Sequence, residues 1–109
     1  MRPGIKIESE TIGDGREANR GDTVTVSYDL ALNRGDVVQS IDSLNFILGK
    51  REVVAALEYG VEGMRVGGRR RFRAGPHLAY RDEGVDGVVP PNAVLIFDLK
   101  LLTVKRDSD

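Results

Sequence analysis

Residues 80 to 99 read Tyr80-Arg81-Asp82-Glu83-Gly84-Val85-Asp86-Gly87-Val88-Val89-Pro90-Pro91-Asn92-Ala93-Val94-Leu95-Ile96-Phe97-Asp98-Leu99. A polar loop containing two glycines, closed by Pro90-Pro91-Asn92, here gives way directly to an apolar segment. From Ala93 to Val104 both alternating sets of positions are apolar enough for a strand covered on both faces, in the centre of its sheet. Tyr80 opens a polar, glycine-containing loop, a poor place for a core residue. Gly84 and Gly87 are expected to let the loop turn tightly.

Upstream, Val24, Val26, Tyr28, Leu30 and Leu32 alternate with Thr23, Thr25, Ser27, Asp29 and Ala31, as in a half-buried antiparallel strand. Asn33-Arg34-Gly35-Asp36 supplies a turn, and Val37-Val38 begins a short return strand, with Gln39 to Phe46 read as a loop. A first strand is expected over Ile5 to Glu8. Between Gly49 and Gly60 the apolar residues Val53, Val54, Ala56 and Leu57 recur at helical spacing, with Gly60 as the stop. Gly68 to Ala74 reads as a strand with Phe72 and Ala74 on one face and Arg69, Arg71 and Arg73 on the other. Many strands, one short helix and no strand–helix–strand repeat predict a single α+β domain, an antiparallel sheet packed on that helix.

The chain has 109 residues, 40% hydrophobic and 30% charged, enough for one core. Its net charge of −1 offers no global field for nucleic acid or an anionic membrane. Without cysteine, and with His77 as its one histidine, it lacks the residues for a disulfide, a thiolate nucleophile or a zinc site, so no metal or cofactor is expected. No apolar run reaches the roughly 18 residues of a membrane span, and the N-terminus lacks the apolar core of a signal peptide, so a cytoplasmic, bacterial-type monomer is expected. Arg69-Arg70-Arg71 and Arg73 raise nucleic-acid binding as a rival, but no aromatic residues interleave them and arginines alternating on a strand suit a solvated face.

Pro76-His77-Leu78-Ala79-Tyr80 together with Val89-Pro90-Pro91-Asn92-Ala93-Val94-Leu95-Ile96-Phe97 resembles the P-x-x-A-Y-G and I-P-P-N-A-x-L-x-F signature of the FKBP-type peptidyl-prolyl isomerases. Three further stretches resemble that family: Gly21 to Tyr28, Phe46-Ile47-Leu48-Gly49 leading into Glu52-Val53-Val54, and Gly60 to Gly68. The resemblance spans residues 21 to 104. It implies a five- or six-stranded antiparallel sheet curled around one short helix, and an apolar pocket for Xaa–Pro segments of proline-containing polypeptides or for macrolides of the rapamycin type.

By the same resemblance, Tyr28, Val38, Phe46, Val53, Val54, Leu57, Tyr80, Val88, Val89 and Phe97 form the pocket, and Tyr80, Gln39 and Val89 carry the catalytic roles. The Tyr80 hydroxyl and the Val89 N–H are the expected donors to the substrate carbonyl. The chemistry needs no nucleophile. Rotating an Xaa–Pro amide costs about 20 kcal/mol because resonance must be broken, and a dry pocket favours the twisted, less hydrated amide.

The chain departs from the family pattern at several positions, Leu44 among them in the place of an aromatic lip on a loop from Gln39 to Phe46 that is shorter than the family's. Val38 stands for a phenylalanine wall, and Gln39 for an aspartate, keeping an acceptor oxygen without its charge. Leu57 replaces a tryptophan floor, a loss of about 1–2 kcal/mol of contact with a prolyl ring. Arg81 replaces the glycine after the tyrosine, with Asp82 and Glu83 behind it. Slower turnover and weaker macrolide binding are expected, and the alternative to an enzyme is a chaperone module of the same fold that holds peptides without turning them over.

Overall fold

The computed structural model describes residues 4–81 and 83–106. Five strands form one antiparallel sheet: β1 (Ile5–Thr11), β2 (Thr23–Leu32), β3 (Val37–Ile47), β4 (Arg69–Ala74) and β5 (Leu95–Lys105). Their order is β1-β4-β5-β2-β3, so β5 is central, as its two apolar faces predict. A single α-helix, α1 (Ala55–Val61), and a one-turn 3-10 segment, Pro76–Leu78, complete the elements. The expected fold class is therefore observed.

Register explains which side chains face the helix. In β2, Val24, Val26 and Leu30 are fully buried and Tyr28 is nearly so. Pairing extends these positions into rows across the sheet: Ile7, Phe72, Phe97, Leu30 and Gln39 in one, and Glu10, Arg70, Leu99, Tyr28 and Ile41 in the next. Phe72 and Phe97 stack with centroids 5.1 Å apart and planes 9° apart, and Tyr28 leans on Phe97 at 6.0 Å. That aromatic layer is the centre of the core.

Three local expectations are corrected. β3 runs eleven residues, not two, and takes in the segment read as a loop. Its period-2 pattern is hidden by two irregularities of register, one between Val26 and Tyr28 and one between Leu30 and Ala31. The helix is only seven residues long because residues 49–54 are held extended or turned. The Glu58 carboxylate anchors that approach by accepting the Gly49 and Arg51 N–H groups, and Glu52 accepts that of Ile47 at 2.9 Å. Nor does Gly60 stop the helix, which continues to Val61: a Cβ at Gly60 would come within 2.2 Å of the Phe72 ring, so glycine is required for close packing on the sheet.

The arginine strand divides as its alternation predicts, with one addition. On the outer face Arg69 pairs with Asp98, Arg71 with Glu8 and Asp98, and Arg73 with Glu8. These partners make the alternating arginines one side of an ion-paired strand face. Arg70 faces inward, its side chain 11% exposed, pairs with Glu10 and donates to the carbonyls of Gly60 at 2.9 Å and Glu62 at 3.2 Å. It thereby satisfies carbonyls at the end of α1 that a seven-residue helix leaves open.

Candidate functional site

The 3-10 turn carries Tyr80 to the sheet's helix-covered face. Ala79 N–H donates to Pro76 O at 3.0 Å and Arg81 N–H to the same carbonyl at 2.8 Å, which fixes the backbone on both sides of the tyrosine. The far end of the loop is tied back by Asn92 N–H to Arg81 O at 2.8 Å. Arg81 itself has φ 53°, a left-handed conformation that glycine adopts freely and other L-residues adopt at a cost. The family's glycine at this position thus answers a backbone requirement that Arg81 meets under strain. Asp82, expected behind it, lies outside the described residues.

Tyr80 and Tyr28 are brought together. Burial raises the pKa of both phenols, and each tyrosine is close enough that the charge of an ionised Tyr80 pushes Tyr28 up further. Neither hydroxyl has a hydrogen-bond partner among the described residues. A neutral phenol O–H held half-buried and unpaired is an available donor.

Around this pair, Val53, Val54, Tyr80, Val88 and Val38 are partly buried and pack on the core cluster. Beneath them Phe46, Leu57 and Val89 are 2–4% exposed and Phe97 is fully buried, so these four support the site from below more than they line its surface. These residues all belong to or pack on the one core cluster, and Phe97 is in ring contact with Tyr28.

Two expected roles differ. The Val89 N–H, expected to hold a substrate carbonyl, donates to Val85 O at 2.8 Å, and Val85 N–H returns the bond to Val89 O at 2.8 Å. A doubly bonded Val85–Val89 pair closes the loop on itself, and Gly84 (φ 65°) lets it do so, since a Cβ there would lie 2.3 Å from Val89 O. The N–H groups of Val53, Val54 and Ala55, beside the apolar wall, have no acceptor among the described residues, and Val54, which precedes the first turn of α1, has no intrahelical partner for its own. Sequence alone points to the Val54 side chain; the start of the helix one residue later is what leaves its N–H open.

Gln39 is the second difference. It ends the row that runs through Phe97 and Leu30, at the sheet edge, and its side chain is exposed with no hydrogen bond among the described residues. The residue paired with Tyr28 is Ile41, two positions on, and it is partly buried against the core. An apolar side chain thus occupies the position beside the Tyr28 phenol. Register within β3 decides this, and the hidden bulges kept it out of the sequence reading.

Comparison with known proteins places these features. A family model described as FKBP-type peptidyl-prolyl cis-trans isomerase matches residues 14–102. The chain is 40% identical over 107 residues to the peptidyl-prolyl cis-trans isomerase FKBP1A of Xenopus laevis, covering 94% of this chain and 99% of that protein. It is 36% identical to FK506-binding protein 1A of Neurospora crassa, covering 94% and 89%. It is also 43% identical to FK506-binding protein 4 of the same fungus, where the match covers 94% of this chain and only 22% of the relative. Relative to proteins of that longer kind, the chain spans about a fifth of the length.

Proposed function

Because this chain belongs to the FKBP-type peptidyl-prolyl cis-trans isomerase family, we propose that it accelerates rotation about Xaa–Pro bonds of proline-containing polypeptides, with the Tyr28–Tyr80 cluster as its site. The observation that carries the reading is the half-buried, unpaired Tyr80 hydroxyl above an apolar floor. A prolyl ring set against Val53, Val54 and Val88 leaves water behind, and the twisted amide, being less hydrated than the planar one, loses less on entry. The Tyr80 O–H and the Val54 N–H are the candidate donors to the substrate carbonyl. No covalent step is required.

The floor supports a modest rate. Leu57 offers a smaller contact than an indole, and Gln39 and Ile41 bring no charge to the phenols. Binding of rapamycin-like macrolides is proposed on the same surface, weakened by the same residues. A chaperone role on flexible chains and a monomeric, cytoplasmic protein are part of this reading. No helix among the described residues is long and apolar enough to cross a membrane.

Protease-coupled or exchange-NMR measurement on Xaa–Pro peptides tests the activity. A rate above background at micromolar protein is expected. Binding of the same peptides without acceleration would make the domain a peptide-holding module instead.

A further inference from the structure

A cleft of 460 Å³ borders the prolyl site along Val53, and Arg20, Arg51 and Arg81 line it together with Glu58 and Glu62. The β4 arginines Arg69, Arg70, Arg71 and Arg73 each face a carboxylate, whereas Arg20, Arg51 and Arg81 have no ion pair or side-chain hydrogen bond among the described residues. Glu58 forms no ion pair with them, its carboxylate accepting the Gly49 and Arg51 N–H groups, so the lining keeps three positive side chains against two negative ones. Glu62 has a partner of its own.

Backbone geometry adds an independent observation. Among the described residues three non-glycine residues have positive φ, and two of them are arginines of this cleft, Arg51 at 59° and Arg81 at 53°. Glycine or asparagine would hold those conformations more easily, so the guanidinium groups are kept at a conformational cost, as strained residues at ligand sites often are. Arg81 also directly follows Tyr80, and Val53 borders both the cleft and the prolyl site. A polypeptide whose proline rests by Tyr80 therefore has its neighbouring residues within reach of all three guanidinium groups.

We propose that this cleft binds an anionic side chain, carboxylate or phosphate, of the substrate polypeptide, so that the protein selects Xaa–Pro bonds flanked by acidic residues over those flanked by basic ones. The inference rests on the isomerase reading and adds the substrate class. Arginine suits the task, since its planar fork matches either anion with two parallel hydrogen bonds. The contact is made equally in ground and transition states, so it acts on KM more than on kcat.

The test is a peptide series with one proline and alanine, glutamate, phosphoserine or lysine at each of the neighbouring positions, assayed by exchange NMR. Glutamate peptides are expected to exceed lysine peptides in kcat/KM by about three- to tenfold, as a few partly exposed ion pairs allow, with the gap closing in high salt. A larger gain with phosphoserine than with glutamate would identify phosphate as the fitting anion, and equal gains the carboxylate. The triple variant R20Q/R51N/R81N, which uses asparagine where φ is positive, is expected to erase the preference. Equal rates for glutamate and lysine peptides, or a preference that survives in the triple variant, would overturn the proposal. The alanine peptide reports the isomerase reading separately. If that peptide is bound without acceleration, amide shifts at Arg51 and Arg81 on titration with the glutamate and lysine peptides still decide the charge preference.

Discussion

Gly60, inside α1, faces the ring of Phe72 so closely that a Cβ would come within 2.2 Å of its Cζ. Phe72 cannot retreat, because it stacks on Phe97 with both rings fully buried. Alanine normally favours a helix over glycine by up to about 1 kcal/mol. Here the sign reverses: Gly60→Ala is expected to lose about 1–3 kcal/mol through overpacking. Urea unfolding measures it, and an unchanged or raised midpoint would show that the helix shifts freely over the sheet.

Tyr80→Phe removes one hydroxyl that has no partner among the described residues, so folding stability should change little. Catalysis should not be spared. Loss of one hydrogen bond to the substrate carbonyl is expected to lower kcat/KM about two- to tenfold, the equivalent of about 0.5–1.5 kcal/mol. Equal rates for the variant and the parent protein would remove Tyr80 from the donor role and leave Val54 N–H alone.

Arg70 and Arg69 are adjacent in sequence and opposite in consequence. Arg70 is enclosed and serves Glu10 and two helix-end carbonyls, whereas the Arg69 side chain is 63% exposed beside Asp98. Lysine keeps the charge and loses the fork. Arg70→Lys is expected to cost about 1–3 kcal/mol, and Arg69→Lys less than about 0.5 kcal/mol. Similar losses at the two positions would contradict the enclosed role given to Arg70.

Alkaline titration tests the paired phenols. Burial raises the pKa of both Tyr28 and Tyr80, so their stabilising contribution is complete below the ordinary phenol value of about 10 and is lost as pH rises through the higher native values. Stability is expected to be level through neutral pH and to fall above about pH 10. In Tyr28→Phe the fall should be shallower, which pH-dependent unfolding with phenolate absorbance reads directly.

Much of this was legible in the residues themselves. The two apolar faces of β5 announced a central strand, and the even alternation of β2 announced which of its side chains would be buried. β3 escaped because its bulges shift the period, and with it went the pairing of Ile41, in place of Gln39, with Tyr28. Tyr80, Val53 and Val54 were recognisable from motif and position. The donor on the backbone was not, since whether Val89 or Val54 has a free N–H depends on the Val85–Val89 pairing and on where the helix begins. Such facts are properties of hydrogen-bond partners, which side-chain patterns report poorly.

The position of β5 between β4 and β2 has a consequence for synthesis. β1 pairs only with β4, and β3 only with β2, so the two pairs are joined solely through the strand that comes last in sequence. While a ribosome is still making residues 95–105, each pair presents an open edge and an apolar face to solvent. Assembly must therefore wait for distant segments to meet, a slow step by the rule that long-range pairing retards folding. A protein proposed to hasten the folding of other chains would itself pass through its most aggregation-prone moment just before β5 joins its two pairs.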